Sequence, residues 1–384
     1  MNFTKAWKKI ALIILFFGVI FGIAIYNGSN IFSLAKNTAY SFLHTHTFDS
    51  ETFEESFNSG FNGRLSWVDA NSMIVRAMDQ KISNGVIKGD NGKLNFLWAT
   101  EYIFDESVEN ENLSKAIAIL KHAQNKGAKT LYVQRPWAIS KLPYGYDFEY
   151  NEQYDYWCEK IAQEDIPVLD FRESLADKID FYITDHHWTV ESSFYGAENI
   201  ANALCDLYEL ELDPANKYFD LNNYTSILYP HAFLGAEGIR TGRYFAGKDD
   251  FEVFVPDFET DFSFTQLAEH EPYFSIEGSF AKAFIDWDKL EDESYNNKYA
   301  AMSFNAYNEN IVLNNMSDND LKVMLIADSY ARPMLPFLSL CFKEVRYLDP
   351  QEGRYNDSYV DYIDAYDPDI VIMMFPGEGE FVEE

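Results

Sequence analysis

The rhythm of apolar and polar positions changes twice along this chain. An uncharged apolar run from Ile10 to Tyr26 comes first. Its 17 residues make about 26 Å of helix, which just spans a hydrocarbon core of roughly 30 Å. Trp7 and Tyr26 stand at its two ends, where amphipathic rings favour a membrane interface. Lys5, Lys8 and Lys9 precede the run and favour the cytoplasmic side, so the chain after Tyr26 is expected outside. The exit, Asn27-Gly28-Ser29-Asn30, lacks a small-x-small cleavage pattern, which favours an uncleaved single-pass anchor over a removed signal peptide.

Residues 27–62 are polar and aromatic without strong periodicity and read as a stalk, followed by a helix around Val68–Lys81. From Val86 onward strands and helices alternate. Val86–Leu94 reads as a strand and turn relieved by Gly89 and Gly92. Leu113, Ile117, Leu120 and Ala123 form a helical stripe over Leu113–Lys126, with Gly127 as its C-cap. Thr130–Val133, Pro167–Phe171, Val323–Ala327, Val345–Leu348 and Ile370–Phe375 read as strands. Tyr154–Gln163, Glu191–Leu207, Pro333–Phe342 and Tyr359–Tyr366 read as the helices between them.

Bare apolar strands separated by helices predict an α/β fold with a parallel sheet covered on both faces. Residues 209–315 break the alternation. They are rich in aromatics and contain Gly235, Gly238, Gly242 and Gly247, with an alternating run at Phe251–Val255, and read as a β-rich insertion beside the sheet. The organisation expected is an anchor at 1–30, a stalk and lead-in helix at 31–85, and one domain at 86–384.

Composition narrows the partners. The net charge is −32, and setting aside the three anchor lysines leaves about −35 on the outer part. Such a surface repels phosphate backbones, so nucleic-acid binding is a poor fit. Aromatic residues make up 17% of the chain, enough to build a sizeable core. Cys158, Cys205 and Cys341 are odd in number and widely spaced, and read as buried thiols rather than a disulfide framework or a zinc site.

Two segments carry candidate chemistry. In Thr184-Asp185-His186-His187-Trp188, an extended backbone would place Asp185 and His187 on one face and His186 on the other. A carboxylate can then hold one imidazole nitrogen and leave the other free as a base. In Leu325-Ile326-Ala327-Asp328-Ser329-Tyr330, Ser329 lies just past a buried strand and before a helix, at the edge where open α/β sheets bind ligands. A helix start also offers free N–H groups that can steady an oxyanion, the Ser329 N–H first among them. Ser329 as nucleophile, His187 as base and Asp185 as orienting carboxylate make a complete kit for acyl transfer.

These residues give the chain a resemblance. Asp185-His186-His187-Trp188, Asp328-Ser329-Tyr330, and Phe233-Leu234-Gly235 through Arg240-Thr241-Gly242-Arg243-Tyr244 resemble the DHHW family of the SGNH/GDSL hydrolase superfamily, relatives of alginate O-acetylation proteins. Val86–Leu94 and Pro136…Lys141-Leu142-Pro143 resemble its early landmarks, so the likeness spans roughly residues 60 to 375. It implies an SGNH-like three-layer α/β/α domain in which the Asp-x-His pair precedes the serine. It also implies a membrane-anchored, extracytoplasmic O-acetyltransferase or acetylesterase acting on cell-envelope polysaccharide, beside a multi-pass membrane O-acyltransferase and with no cofactor. Ser329, His187 and Asp185 take the catalytic roles. Arg354, 25 residues past the serine, resembles a pocket-lining arginine, and Tyr330, Asp328 and Trp188 join it as substrate or oxyanion candidates. Ala327 stands where the superfamily usually has glycine, and no asparagine follows the last strand, at Phe375-Pro376-Gly377-Glu378, to complete an oxyanion hole.

Blander readings stand beside these. Asp185-His186-His187 could hold a metal, although Asp170 and Asp180 form no Asp-x-Asp cluster to help. Ser329 alone could simply cap a helix. Trp188 suits packing beneath the loop better than stacking on a sugar. Arg240 and Arg243 could meet an acidic polymer but are expected to pair with the chain's own carboxylates. His44, His46, His122, His231 and His270 are expected to be structural or solvated. A catalytically inactive SGNH-like domain that binds polysaccharide or serves as a scaffold for the acyltransferase is the alternative function.

Overall fold

The computed structural model describes residues 14, 17–18, 21–22, 24–45, 61–137, 141–146, 150–294, 296–355 and 357–375. Most of the predicted anchor, 10–26, and His46 lie outside them. Among the described residues, no helix is long and apolar enough to cross a membrane. The chain divides into a unit ending at Asn71 and a unit from Ser72 onward. The first contains α1 (Gly28–Thr45), where the sequence suggests an aperiodic stalk, and the start of α2 (Arg64–Ala77).

The second unit is built on one eight-stranded sheet. In chain order its strands are β4 (Lys129–Gln134), β5 (Val168–Asp170), β8 (Phe262–Ala268), β9 (Glu271–Gly278), β10 (Glu309–Asn314), β11 (Lys322–Ala327), β12 (Glu344–Leu348) and β13 (Ile370–Met374). They lie in the order β5-β4-β13-β11-β12-β10-β8-β9. The first five are parallel, and β10, β8 and β9 continue the sheet antiparallel. A small sheet of β1 (Ile82–Ser83), β2 (Val86–Lys88) and β3 (Leu94–Phe96) and a ribbon of β6 (Tyr224–Phe233) and β7 (Asp249–Pro256) complete the strands. Segment 209–315 is therefore only partly an appendage. Its ribbon is a separate sheet that packs into the same core through Phe233, Phe251 and Val253, and β8, β9 and β10 extend the main sheet itself.

Alternation along the central strands sorts the core into two layers. Val323, Leu325 and Ala327 of β11 face one layer with α5 (Val190–Tyr208), through Phe194, Ala197 and Leu204. Met324 and Ile326 face the other with α3 (Glu106–Lys126), α4 (Tyr150–Gln163) and α7 (Tyr359–Tyr366). Helices thus cover both faces of a parallel-rich sheet, as the SGNH-like reading requires. Local signals set the helix ends. Asp105 accepts from the Ser107 N–H to start α3, Gly127 at φ 95° ends it, and Thr189 caps α5 through the Ser192 N–H. The three cysteines are free, with Cys341 buried and Cys158 and Cys205 half-buried.

Candidate active site

The nucleophile turn follows from where β11 stops. Asp328 leaves the strand, and its carboxylate accepts from the Tyr330 N–H at 3.1 Å, which starts the single helical turn Ser329–Ala331. The same carboxylate pairs with Arg135, just past the end of β4, at 2.9 Å from Nε and 2.7 Å from Nη2. Both side chains are 3% exposed, so Asp328 is a buried support for the turn and not a substrate contact. Tyr299 donates to the Ser329 carbonyl and Tyr347 to the Asp328 carbonyl, so the turn is held from two sides. Ala327 is fully buried, its methyl absorbed by the core. The Ser329 N–H opens the turn, where helix amides have no intrahelical acceptor and can face an oxyanion.

The Asp-x-His segment is a closed loop rather than an extended strand. Tyr182 N–H bonds the His187 carbonyl and Thr189 N–H bonds the Asp180 carbonyl, pinching residues 180–189 together. Asp249 of β7 holds the loop from below, accepting from the N–H groups of Ile183 and Thr184 and from the Thr184 hydroxyl. Phe233-Leu234-Gly235 and α6 (Ala236–Thr241) close against it. The Ala236 N–H donates to Asp185 Oδ2 at 2.7 Å. Gly235 is obligatory here, because a Cβ would lie 2.2 Å from Asp185 Cβ.

The two segments meet. His187 Nε2 lies 2.7 Å from Ser329 Oγ, and its Nδ1 lies 2.5 Å from Asp185 Oδ1. Asp185 accepts on Oδ1 from both the His187 ring and the His187 backbone N–H, which puts the ring proton on Nδ1 and leaves Nε2 to accept from the serine. The Tyr299 ring stacks on His187 at 4.1 Å between centroids, fixing the plane of the imidazole. Burial raises the Asp185 carboxyl, but the neighbouring His187 and His186 and the His187 hydrogen bonds outweigh it and hold it well below the usual carboxylate range. Burial, reinforced by the His186 charge and opposed by Asp185, pushes His187 down to about 4. His187 is therefore a neutral base at ordinary pH.

His186 has a different fate. Its Nδ1 faces Glu237 Oε1 at 3.1 Å. Burial pushes it down, but Glu237 and Asp185 override this and raise it to about 9. Asp185, His186 and His187 each offer an atom within 4.8 Å of the others, so a metal reading has to be weighed. The ring nitrogens of His187 already serve Asp185 and Ser329, Asp185 accepts three donors, and His186 Nδ1 serves Glu237. This donor set fits a proton relay and fits an ion poorly.

The remaining candidates separate. Trp188 is fully buried and donates from Nε1 to the Tyr330 carbonyl, so it packs under the turn and is closed to a sugar. Tyr330 is 2% exposed, with its hydroxyl on the His186 carbonyl. It joins the two segments and is no oxyanion donor. Arg354 bonds Asp349 Oδ2 and Gln351 Oε1 beyond β12, at the same sheet edge as Ser329. Arg240, expected to pair with a carboxylate, has no ion pair among the described residues and lies over the Phe96 ring at 5.1 Å. His122 and His270 do find partners, in Asp364 and in Glu309 with Asp357. Glu237, Asp249, Arg135 and Tyr299 carry no motif. Only Glu237 lies within a stretch marked by the family resemblance.

Comparison with known proteins bears on the family and the fold. Residues 100–224 match the model of the SGNH hydrolase-like domain of acetyltransferase AlgX. No curated protein matches the chain by sequence. PatB1 of Bacillus cereus, solved with a sulfonyl adduct, superposes with a TM-score of 0.59 at 16% identity, over 76% of this chain and 94% of PatB1. A DHHW family protein from Eubacterium siraeum superposes with a TM-score of 0.54 at 15% identity, over 78% of this chain and 94% of its own. At such identities the likeness is one of fold. The matched stretch contains Asp185-His186-His187-Trp188, and the fold agrees with the resemblance read from the sequence, so over residues 100–224 the chain is similar to the SGNH hydrolase-like domain of the acetyltransferase AlgX.

Proposed function

We propose that this chain is an O-acetyltransferase or acetylesterase that acts on cell-envelope polysaccharide through an acyl-Ser329 intermediate. The observation that carries the reading is the continuous Asp185–His187–Ser329 relay at hydrogen-bond distances. In the first half-reaction Ser329 Oγ bonds to the ester carbonyl carbon as its proton passes to His187 Nε2. Asp185 stabilises the resulting imidazolium, and the Ser329 N–H faces the developing oxyanion. Collapse breaks the ester C–O bond, and His187 returns the proton to the leaving alkoxide. In the second half a sugar hydroxyl or water attacks acetyl-Ser329, gives its proton to His187, and Ser329 recovers it. The acyl acceptor alone decides between transfer and hydrolysis.

The cell-envelope assignment extends to the lysine-flanked apolar segment 10–26. It tethers the chain with its main domain outside, beside a multi-pass membrane O-acyltransferase that supplies acyl groups. The test uses the full chain with a chromogenic acetyl ester and a sulfonyl fluoride. Wild type releases product and gains one sulfonyl group, located by mass spectrometry on Ser329. Ser329→Ala loses both. Equal rates in the two proteins would overturn the acyl-serine mechanism and favour a binding or scaffold role.

A further inference from the structure

A row of neighbouring aromatic rings runs outward from the catalytic histidine. His187 lies tilted against His186, with centroids 4.1 Å and planes 33° apart, and His186 stacks on Trp137 at 6.1 Å with planes only 10° apart. Trp137 meets Trp98 edge-on at 6.5 Å, and Trp98 stacks on Phe96 at 5.7 Å. Trp98 is the exposed member of the row. His187 and Trp137 are 8% and 7% exposed, whereas Trp98 is 49% exposed. Trp98 sits on the helical turn Leu97–Thr100 after β3, where the chain displays a large indole to solvent instead of burying it. Arg240 sets its guanidinium over the neighbouring Phe96 ring and forms no ion pair among the described residues, in a chain of net charge −32. An exposed indole packed on Phe96, with a guanidinium over that same ring, suits an occupant with a flat apolar face and hydroxyls at its edge. A pyranose ring has both.

From this juxtaposition we infer that Trp98 is the floor of an acceptor subsite, on which one ring of a saccharide stacks while Arg240 donates to its oxygens, with the rest of the saccharide following the row of rings toward Ser329. The inference rests on the acyl-transfer reading for its place in the reaction, but binding at Trp98 can be read without chemistry. In the full chain carrying Ser329→Ala, β-1,4-linked glucose and glucuronate tetrasaccharides are titrated at up to roughly millimolar concentration while tryptophan fluorescence is followed. Quenching by at least one saccharide is expected. Trp98→Ala in the same background weakens that binding by about tenfold or more, measured calorimetrically, and Trp98→Phe recovers part of it. An unchanged melting temperature shows that the surface substitution leaves the fold intact. Absence of binding by both saccharides, or equal affinity in Trp98→Ala, overturns the subsite. Loss of ester hydrolysis on Ser329→Ala is scored separately and reports only on the nucleophile.

Discussion

Gly235 lets the placement of Asp185 be tested without replacing any catalytic residue. Its backbone lies at φ −75°, which alanine adopts freely, so Gly235→Ala brings no backbone strain. What it brings is a methyl group 2.2 Å from Asp185 Cβ and 2.4 Å from Oδ2. Ordinary contact for such an atom begins at 3.4 Å, so roughly 1.2 Å has to be found. The β-carbon of Asp185 is no flexible tip that can swing aside, and its carboxylate is pinned by the Ala236 N–H and His187. Overpacking of this kind costs about 1–3 kcal/mol of stability. Displacing a catalytic group by about 1 Å costs on the order of 10²-fold in rate. The expected result is a kcat/KM for a chromogenic acetyl ester lowered about a hundredfold, with a melting temperature a few degrees down and an intact near-UV circular dichroism spectrum. Retained wild-type rate would refute the reasoning, because the carboxylate would then tolerate a shift that the relay geometry forbids.

Other consequences follow from the same site. With His187 near 4, kcat/KM should be level around neutral pH and fall to half near pH 4 as the base is protonated. His186→Gln removes the adjacent cation that helps hold His187 down, so the acid limb should move toward neutral pH, and an unmoved limb would show that His186 does not act on the base. Arg135→Met strips the partner from a buried carboxylate and should cost about 3–5 kcal/mol in urea unfolding, with a loss below about 1 kcal/mol counting against Asp328 as a buried charge. Chelator treatment should leave ester hydrolysis unchanged, whereas loss restored by added divalent metal would support an ion at Asp185-His186-His187.

The parallel half of the sheet is legible in the sequence because its strands are buried on both faces and show as bare apolar runs, as Val323–Ala327 and Ile370–Phe375 do. The antiparallel half is not. β9 runs Glu271-Pro272-Tyr273-Phe274-Ser275-Ile276-Glu277-Gly278, exposed or half-buried throughout, and its mixed composition reads as loop until β8 pairs with it. Pro333–Phe342 reads as one helix because it is apolar, yet it breaks into Leu335–Leu338 and the tighter turn Ser339–Cys341. From Met334 to Phe342 every residue is buried, so packing from all sides sets the backbone there instead of an amphipathic period, and Pro333 and Pro336 withhold two N–H donors.

The adjacent histidines show where a motif stops being informative. His187 can be assigned from Asp185 two positions away, because the carboxylate that orients it belongs to the same loop. His186 depends on Glu237, 51 positions along the chain, and no local spacing announces that pairing. The result is one imidazole held neutral and the next held charged, with ring centroids 4.1 Å apart. Each state helps the other. The His186 charge disfavours a proton on His187 in the resting site, and Glu237 with Asp185 absorbs the cost of keeping that charge buried. When His187 takes the serine proton, two imidazolium rings would face each other, so Glu237 and Asp185 together have to balance both charges. That requirement ties a glutamate outside the relay to the stability of its transition state. A serine, a histidine and an aspartate at the right spacing are therefore only part of the electrostatic design.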